Sequence, residues 1–161
     1  MQKQSFNNSQ INSVHIDHEN LKLENSITEQ LKDGETVLFS CIVQKVNVGV
    51  LAVKDDLRII MVTNMAVYNV KSNMFGVKYE IQRCISLDKI KWVTIGTQQG
   101  NDQFIINVID EYDYLFRSKD MRPYILNALK HVYFNAKNQN LPVFGVPEKL
   151  TEKHMTTKKQ I

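Results

Sequence analysis

Two pairs of adjacent carboxylates, Asp55-Asp56 and Asp110-Glu111, are the groups in this chain nearest to acid/base chemistry. Such chemistry needs two carboxyls in different environments, one of them withdrawn from water. Both pairs fall in stretches of turn composition, where acids stay solvated and unperturbed. His15 and His18 are three apart and could meet on one helix face, but no other ligand type stands near them, and a zinc site needs three or four ligands. His131 reads as a surface residue of a helix, and His154 lies near the chain end. Cys41 and Cys84 lack CxxC spacing and sit in strand-like runs, so they read as buried reduced thiols. The 6 glycines form neither a dinucleotide fingerprint nor a phosphate loop; Gly96 and Gly100 share a hairpin without a following Lys-Ser/Thr. No GxSxG or HExxH occurs. The residues point to no catalytic group, no metal and no cofactor.

The elements that would carry any site are mostly strands. Residues 1–25 are dominated by Asn, Gln, Ser and charge, and such a segment buries too little surface to offset its ordering entropy, so it reads as a polar tail. Ser26-Ile27-Thr28-Glu29 is a capping-box pattern opening a short helix over 26–33, with Gly34 placed to end it. Strand signals then follow within 36–117. Val37, Phe39, Cys41 and Val43 share one face of the first. Leu57 to Val62, interrupted by Arg58, is a near-continuous apolar run, as expected where both faces are covered or the strand bends. Thr63-Asn64-Met65 turns the chain into Ala66–Lys71. Tyr79–Ser86, Ile90–Gly96, the run from Phe104 to Val108 and Tyr112–Arg117 complete a meander. One helix over 120–137 follows, with Asp120 as its cap and Pro123 in its first turn. Met121, Tyr124, Ile125, Ala128, Leu129 and Val132 form its apolar stripe. Leu141–Pro147 reads as an extended segment lying back on the domain, and 148–161 as a C-terminal tail.

Length and composition bound the rest. The chain has 161 residues, 43% of them hydrophobic, which suits one domain with a real core. The net charge of +3 and the lack of a basic stripe with exposed aromatics argue against nucleic-acid binding. Trp92, flanked by Ile90, Val93 and Ile95, reads as core. No run approaches a bilayer span, and Met1 to Asn25 has no secretory apolar region. The expected location is the cytoplasm.

Short strands followed by one C-terminal amphipathic helix resemble the pleckstrin-homology superfold: mostly β with α, a bent antiparallel barrel capped by the helix. Here that would span 26–147, with the aromatics of Tyr112 to Phe116 meeting the helical stripe. A closer resemblance runs from Val37 to Ser118. Val37-Leu38-Phe39-Ser40, Lys45-Val46-Asn47, the run Arg58 to Tyr68 and Ile85-Ser86-Leu87-Asp88-Lys89-Ile90 are similar to landmarks of the tail-homology region of class-one myosins. That family binds anionic headgroups through basic residues near the first hairpin. Carried over by position, the resemblance implies Lys45 and Arg58 flanking the loop Val48–Leu57 and Lys54 inside it as binding residues. A phosphate cluster needs cations converging from neighbouring strands, with Arg able to bind bidentately. Asp55 and Asp56 stand where added positive charge would be expected, and each would oppose a headgroup by about 1 kcal/mol. Val48, Val50, Leu51 and Val53 give the same loop an apolar contact surface, suited to a bilayer interface or to a protein neighbour.

Two functions follow. The first is a non-catalytic docking or adaptor module that binds protein partners in a larger, cytoskeleton-associated assembly. The alternative is membrane recruitment through phosphoinositides or other acidic phospholipids, with Lys149, Lys153, Lys158 and Lys159 adding nonspecific attraction.

Overall fold

The computed structural model describes residues 16–46, 56–73 and 78–155. Its strands are β1 (Val37–Lys45), β2 (Asp56–Thr63), β3 (Ala66–Ser72), β4 (Tyr79–Ser86), β5 (Ile90–Gly96), β6 (Gln103–Val108), β7 (Tyr114–Arg117) and β8 (Val143–Val146). Two helices accompany them, α1 (Asn25–Thr28) and α2 (Arg122–Lys137). The strands form one sheet in the order β4-β3-β2-β1-β7-β6-β5-β8. β1 pairs with β2 along its length and with β7 at its end, through Gln44↔Arg117 and Lys45↔Phe116. It therefore belongs to both halves, and the sheet folds over at this strand. Cys41, Ile60 and Val67 from one half meet Val93, Phe104 and Phe116 from the other in a single core. α2 closes that core with Ile125, Ala128, Leu129 and Val132. This is the mostly-β, helix-capped, pleckstrin-homology-like architecture the sequence suggests. The outermost strands, β4 and β8, are not paired with each other, so the sheet is bent but open.

The apolar run in β2 has its explanation in two cores. Ile60 and Val62 enter the main core, while Ile59 and Met61 enter a second one on the opposite face with Leu21, Ile27, Tyr68 and Val70. A strand buried on both sides gains from every apolar side chain, so alternation disappears. The cover is the segment taken from sequence as tail. Residues 16–25 pack here, with Leu21 fully buried. Asp17 accepts from the backbone N–H groups of Leu21 (3.0 Å) and Lys22 (2.9 Å) and from the Ser40 hydroxyl. A short bridge of backbone bonds ties Ile16 and His18 to Ser40. A few buried side chains, each contributing about 1.5–3 kcal/mol, outweigh the polar average that made the segment read as unstructured. The C-terminal tail is corrected in the same way: Leu150 is buried with Ile105 and Leu115 on the outer face of β6 and β7. Residues 1–15 and 156–161 lie outside the described residues.

Other expectations are corrected locally. The helix expected over 26–33 spans Asn25–Thr28, and Ser26 makes no cap. Gly34 does adopt a left-handed φ of 74°, but in the turn before β1. A bulge between Val37 and Phe39 shifts the register by one, so Val37 faces the second core rather than its expected neighbours. Asp120 caps nothing; Met121 occupies that position, with Pro123 in the first turn as expected. Tyr124 is exposed, lying about 100° round the helix from the centre of the buried stripe, and Tyr133 is buried instead. Cys41 is buried, but Cys84 is exposed on the edge strand β4. Trp92 is half-buried on the outer side, edge-on to Phe144 at 6.1 Å. The extended segment after α2 does return to the domain: β8 adds to β5 in parallel.

Candidate functional site

Side chains alternate along β1 and β2, and one set from each lines the inside of the bent sheet. On β1 that set is Cys41, Val43 and then Lys45; on β2 it is Val62, Ile60 and then Arg58, with Val43 opposite Arg58. On β3, Val67 is followed by Asn69. The inner wall thus changes from apolar to polar toward the end of the sheet where β1 leaves and β2 begins. Tyr114, from β7, completes the patch. The Lys45 ammonium stands 5.7 Å from its ring centroid, and the Asn69 side-chain amide donates to its hydroxyl at 3.2 Å. Burial, and then its hydrogen bond with Tyr112, raises the Tyr114 phenol above its ordinary pKa.

Arg58 is the unusual member. Its side chain is only 9% exposed, and Nη2 reaches the Asp56 carboxylate at 3.0 Å. Its Nε and Nη1 are buried without a hydrogen-bond partner, as is the carbonyl oxygen of the Asn69 side chain. Buried donors without acceptors are costly, by about 1–3 kcal/mol each. Arg58, Lys45 and Asn69 thus place a guanidinium, an ammonium and an amide on neighbouring strands of the inner face. Asp56 holds Nη2, the nitrogen shared by both donor edges of that guanidinium, so the opposition expected from the acidic pair is present in part. Lys54, Asp55, Val48, Val50, Leu51 and Val53 lie outside the described residues.

Arg83, on β4, approaches the same patch and is already committed. It stacks on the rings of Tyr112 and Tyr114, 4.0 and 4.6 Å from their centroids. It donates to the Tyr112 carbonyl at 2.8 Å and to Glu111 at 2.7 Å. Lys89 holds the other Glu111 oxygen at 2.8 Å. These hydrogen bonds, from Lys89 first and then Arg83, hold the Glu111 carboxyl below its ordinary range. Glu111 is therefore a clamp for the β6–β7 connection rather than the solvated acid its turn composition suggests. Asp113, buried, secures the same connection by accepting from Val108 N (2.8 Å) and the Asn107 side chain (2.9 Å). Sequence reasoning missed Asn69, Arg83 and Tyr114 as site residues. The available signal was strand parity, which places polar residues in line with Ile60, Val67 and Ile85 on an otherwise apolar face.

Among the described residues no group of three or more His, Cys, Asp or Glu is placed to hold a metal ion. No helix among them is long and apolar enough to cross a membrane.

Comparison with known proteins gives the same architecture. The hSac2 domain of the human phosphoinositide phosphatase Sac2 superposes with a TM-score of 0.61 at 15% identity, covering 83% of this chain and 88% of that one. The C-terminal domain of an unknown protein from Leishmania infantum gives 0.50 at 14% identity, covering 68% and 92%. A structure of Vav1 bound to an allosteric inhibitor gives 0.50 at 12% identity, covering 64% of this chain and 28% of that one. At these identities the likeness concerns the fold. No curated protein sequence matches. Residues 7–159 match the family described as unconventional myosin tail, actin- and lipid-binding. With nearly the whole chain inside that match and the bent, helix-capped sheet beneath it, this protein belongs to the myosin tail-homology family.

Proposed function

We propose that this domain is a non-catalytic docking module that holds an anionic phospholipid headgroup at the polar end of its inner sheet face, recruiting a cytoplasmic, cytoskeleton-associated assembly to a membrane. The observation that carries this reading is Arg58, buried with two unpartnered donor nitrogens near Lys45 and Asn69. A phosphate oxygen would accept from Nη1 or from Nε, which point to different sides of the guanidinium, and Lys45 would add a second charge. Lys54 would contribute from the loop, with Val48, Val50, Leu51 and Val53 meeting the interface. The family description, which includes lipid binding, supports the reading, as does a structural neighbour named for phosphoinositides.

Co-sedimentation with phosphatidylcholine vesicles containing phosphatidylinositol 4,5-bisphosphate tests it. Arg58→Lys keeps the charge but loses the fixed guanidinium donors, and should weaken retention by about tenfold. Lys45→Ala should do the same to a smaller extent. Undiminished retention of both variants would refute the site.

A second reading, protein docking, is favoured by a different observation. Ile42 and Leu57, on the outer face of β1 and β2, are 52% and 67% exposed and lie beside the same loop. The family description also includes actin. Ile42→Ser/Leu57→Ser should then weaken co-sedimentation with filamentous actin while leaving vesicle retention intact.

A further inference from the structure

α2 has a second patterned face. Its buried side, Ile125, Ala128, Leu129 and Val132, closes the main core. On the far side Tyr124, Asn127, His131 and Phe134 recur at spacings of three, four and three, which confines them to about 80° of arc at 3.6 residues per turn. Tyr124 is 59% and Phe134 48% exposed, and Asn127 between them is exposed as well. His131 is half-buried, its Nε2 3.0 Å from the Asn135 side-chain nitrogen. Single exposed aromatics are ordinary on a protein surface. Two of them at heptad positions, with polar residues between, form the pattern of a helix–helix seam, where apolar groups supply contact and a polar one fixes register.

Charge narrows what can lie on this seam. α2 carries Arg122, Lys130 and Lys137 and contains no carboxylate. Arg122 is committed to the Gly96 and Gln103 carbonyls. Lys130 and Lys137, one heptad apart, flank the seam on one side. Lys137 donates to the Asp88 carbonyl at 3.1 Å, while Lys130 is exposed and makes no ion pair among the described residues. A second copy is disfavoured, because an antiparallel pair would set these lysine flanks against each other. A bilayer asks for a broad apolar face, and Asn127 and His131 interrupt this narrow one. An acidic helix meets both requirements.

We propose that this face of α2 docks an amphipathic helix of a protein partner, whose apolar residues pack between Tyr124 and Phe134 and whose carboxylates lie along Lys130 and Lys137. It shares no residue with the Lys45–Arg58 patch, so the two sites are tested separately. The probe is a fluorescein-labelled three-heptad peptide with Leu at positions a and d and Glu at e and g, followed by fluorescence anisotropy as the full chain is added. A saturable rise is expected, with a gain of peptide helicity in circular dichroism, and neither should occur with a peptide of the same composition in scrambled order. Phe134→Ser should weaken binding about tenfold and Lys130→Ala about threefold, both altering exposed side chains. Lys45→Ala/Arg58→Lys should leave it unchanged. No saturable rise, or equal binding of the scrambled peptide, would overturn the site. So would a dimer in sedimentation velocity that Phe134→Ser dissociates, which assigns the face to a second copy. Loss of retention on phosphatidylcholine–phosphatidylserine vesicles in Tyr124→Ser/Phe134→Ser, with peptide binding intact, would overturn it in favour of a bilayer.

Discussion

Two buried charged side chains, Glu35 and Arg58, lie near opposite ends of the same strands and differ in what surrounds them. Glu35 is 8% exposed and fully engaged. Its carboxylate accepts from the Thr63 hydroxyl (2.6 Å), the Tyr68 hydroxyl (2.8 Å) and Lys32 N (3.0 Å). Arg58, equally buried, has one partner at Asp56 and two donor nitrogens left over. A satisfied buried charge ties elements together, here the turn before β1 to β2 and β3. An unsatisfied one is a cost that the fold tolerates only where something else is gained. On the proposed reading, the contrast separates a structural charge from a binding one without reference to either residue's type.

The largest effect that would break this contrast concerns stability. Glu35→Leu removes the buried carboxylate to which the Thr63 and Tyr68 hydroxyls and Lys32 N donate, and should lower unfolding free energy by about 2–4 kcal/mol in urea denaturation. Arg58→Met removes two unpartnered donor nitrogens together with the Nη2 that Asp56 accepts from, and leaves Asp56, itself half-exposed, in water. Its stability should stay within about 1 kcal/mol of the parent while vesicle retention is lost. Equal destabilisation by the two substitutions would dissolve the distinction. The smallest effect sharpens it on a third charge. Lys89 and Arg83 keep the folded-state pKa of Glu111 below its ordinary 4.5. The stabilisation it provides is present above that value and is lost as pH falls through the folded one. The melting temperature of the parent should therefore fall more steeply below about pH 4.5 than that of Glu111→Gln. Parallel pH profiles would show that Glu111 does not work as a clamp.

How much of this was legible beforehand varied with the kind of information. Phe39, Cys41 and Val43 announce a strand with one buried face, and Ile125, Ala128, Leu129 and Val132 announce the capping helix, because each period is a local property of the chain. Lys45 and Arg58 came from a family resemblance, and strand parity then placed both on the inner face. The role of Glu111 was illegible: nothing in a turn-like Asp-Glu pair reveals that Arg83 and Lys89, more than twenty positions earlier, converge on it. Gln103 was likewise silent: its Oε1 accepts from Leu150 N only because that residue returns across β6, and its buried Nε2 keeps no partner.

By itself the order of residues determined which stretches become strands, which becomes the helix, and which side of each is apolar. Those follow from backbone periodicity and side-chain chemistry over a few positions. The tertiary structure alone decided that residues 16–25 and 148–155 cover the outer faces of the sheet, that a bulge turns Val37 away from Phe39, and that Arg58 and Gln103 keep unspent donors. Each of these depends on contacts between segments distant in the chain, and burial or hydrogen-bond satisfaction is a sum over neighbours that no local pattern records.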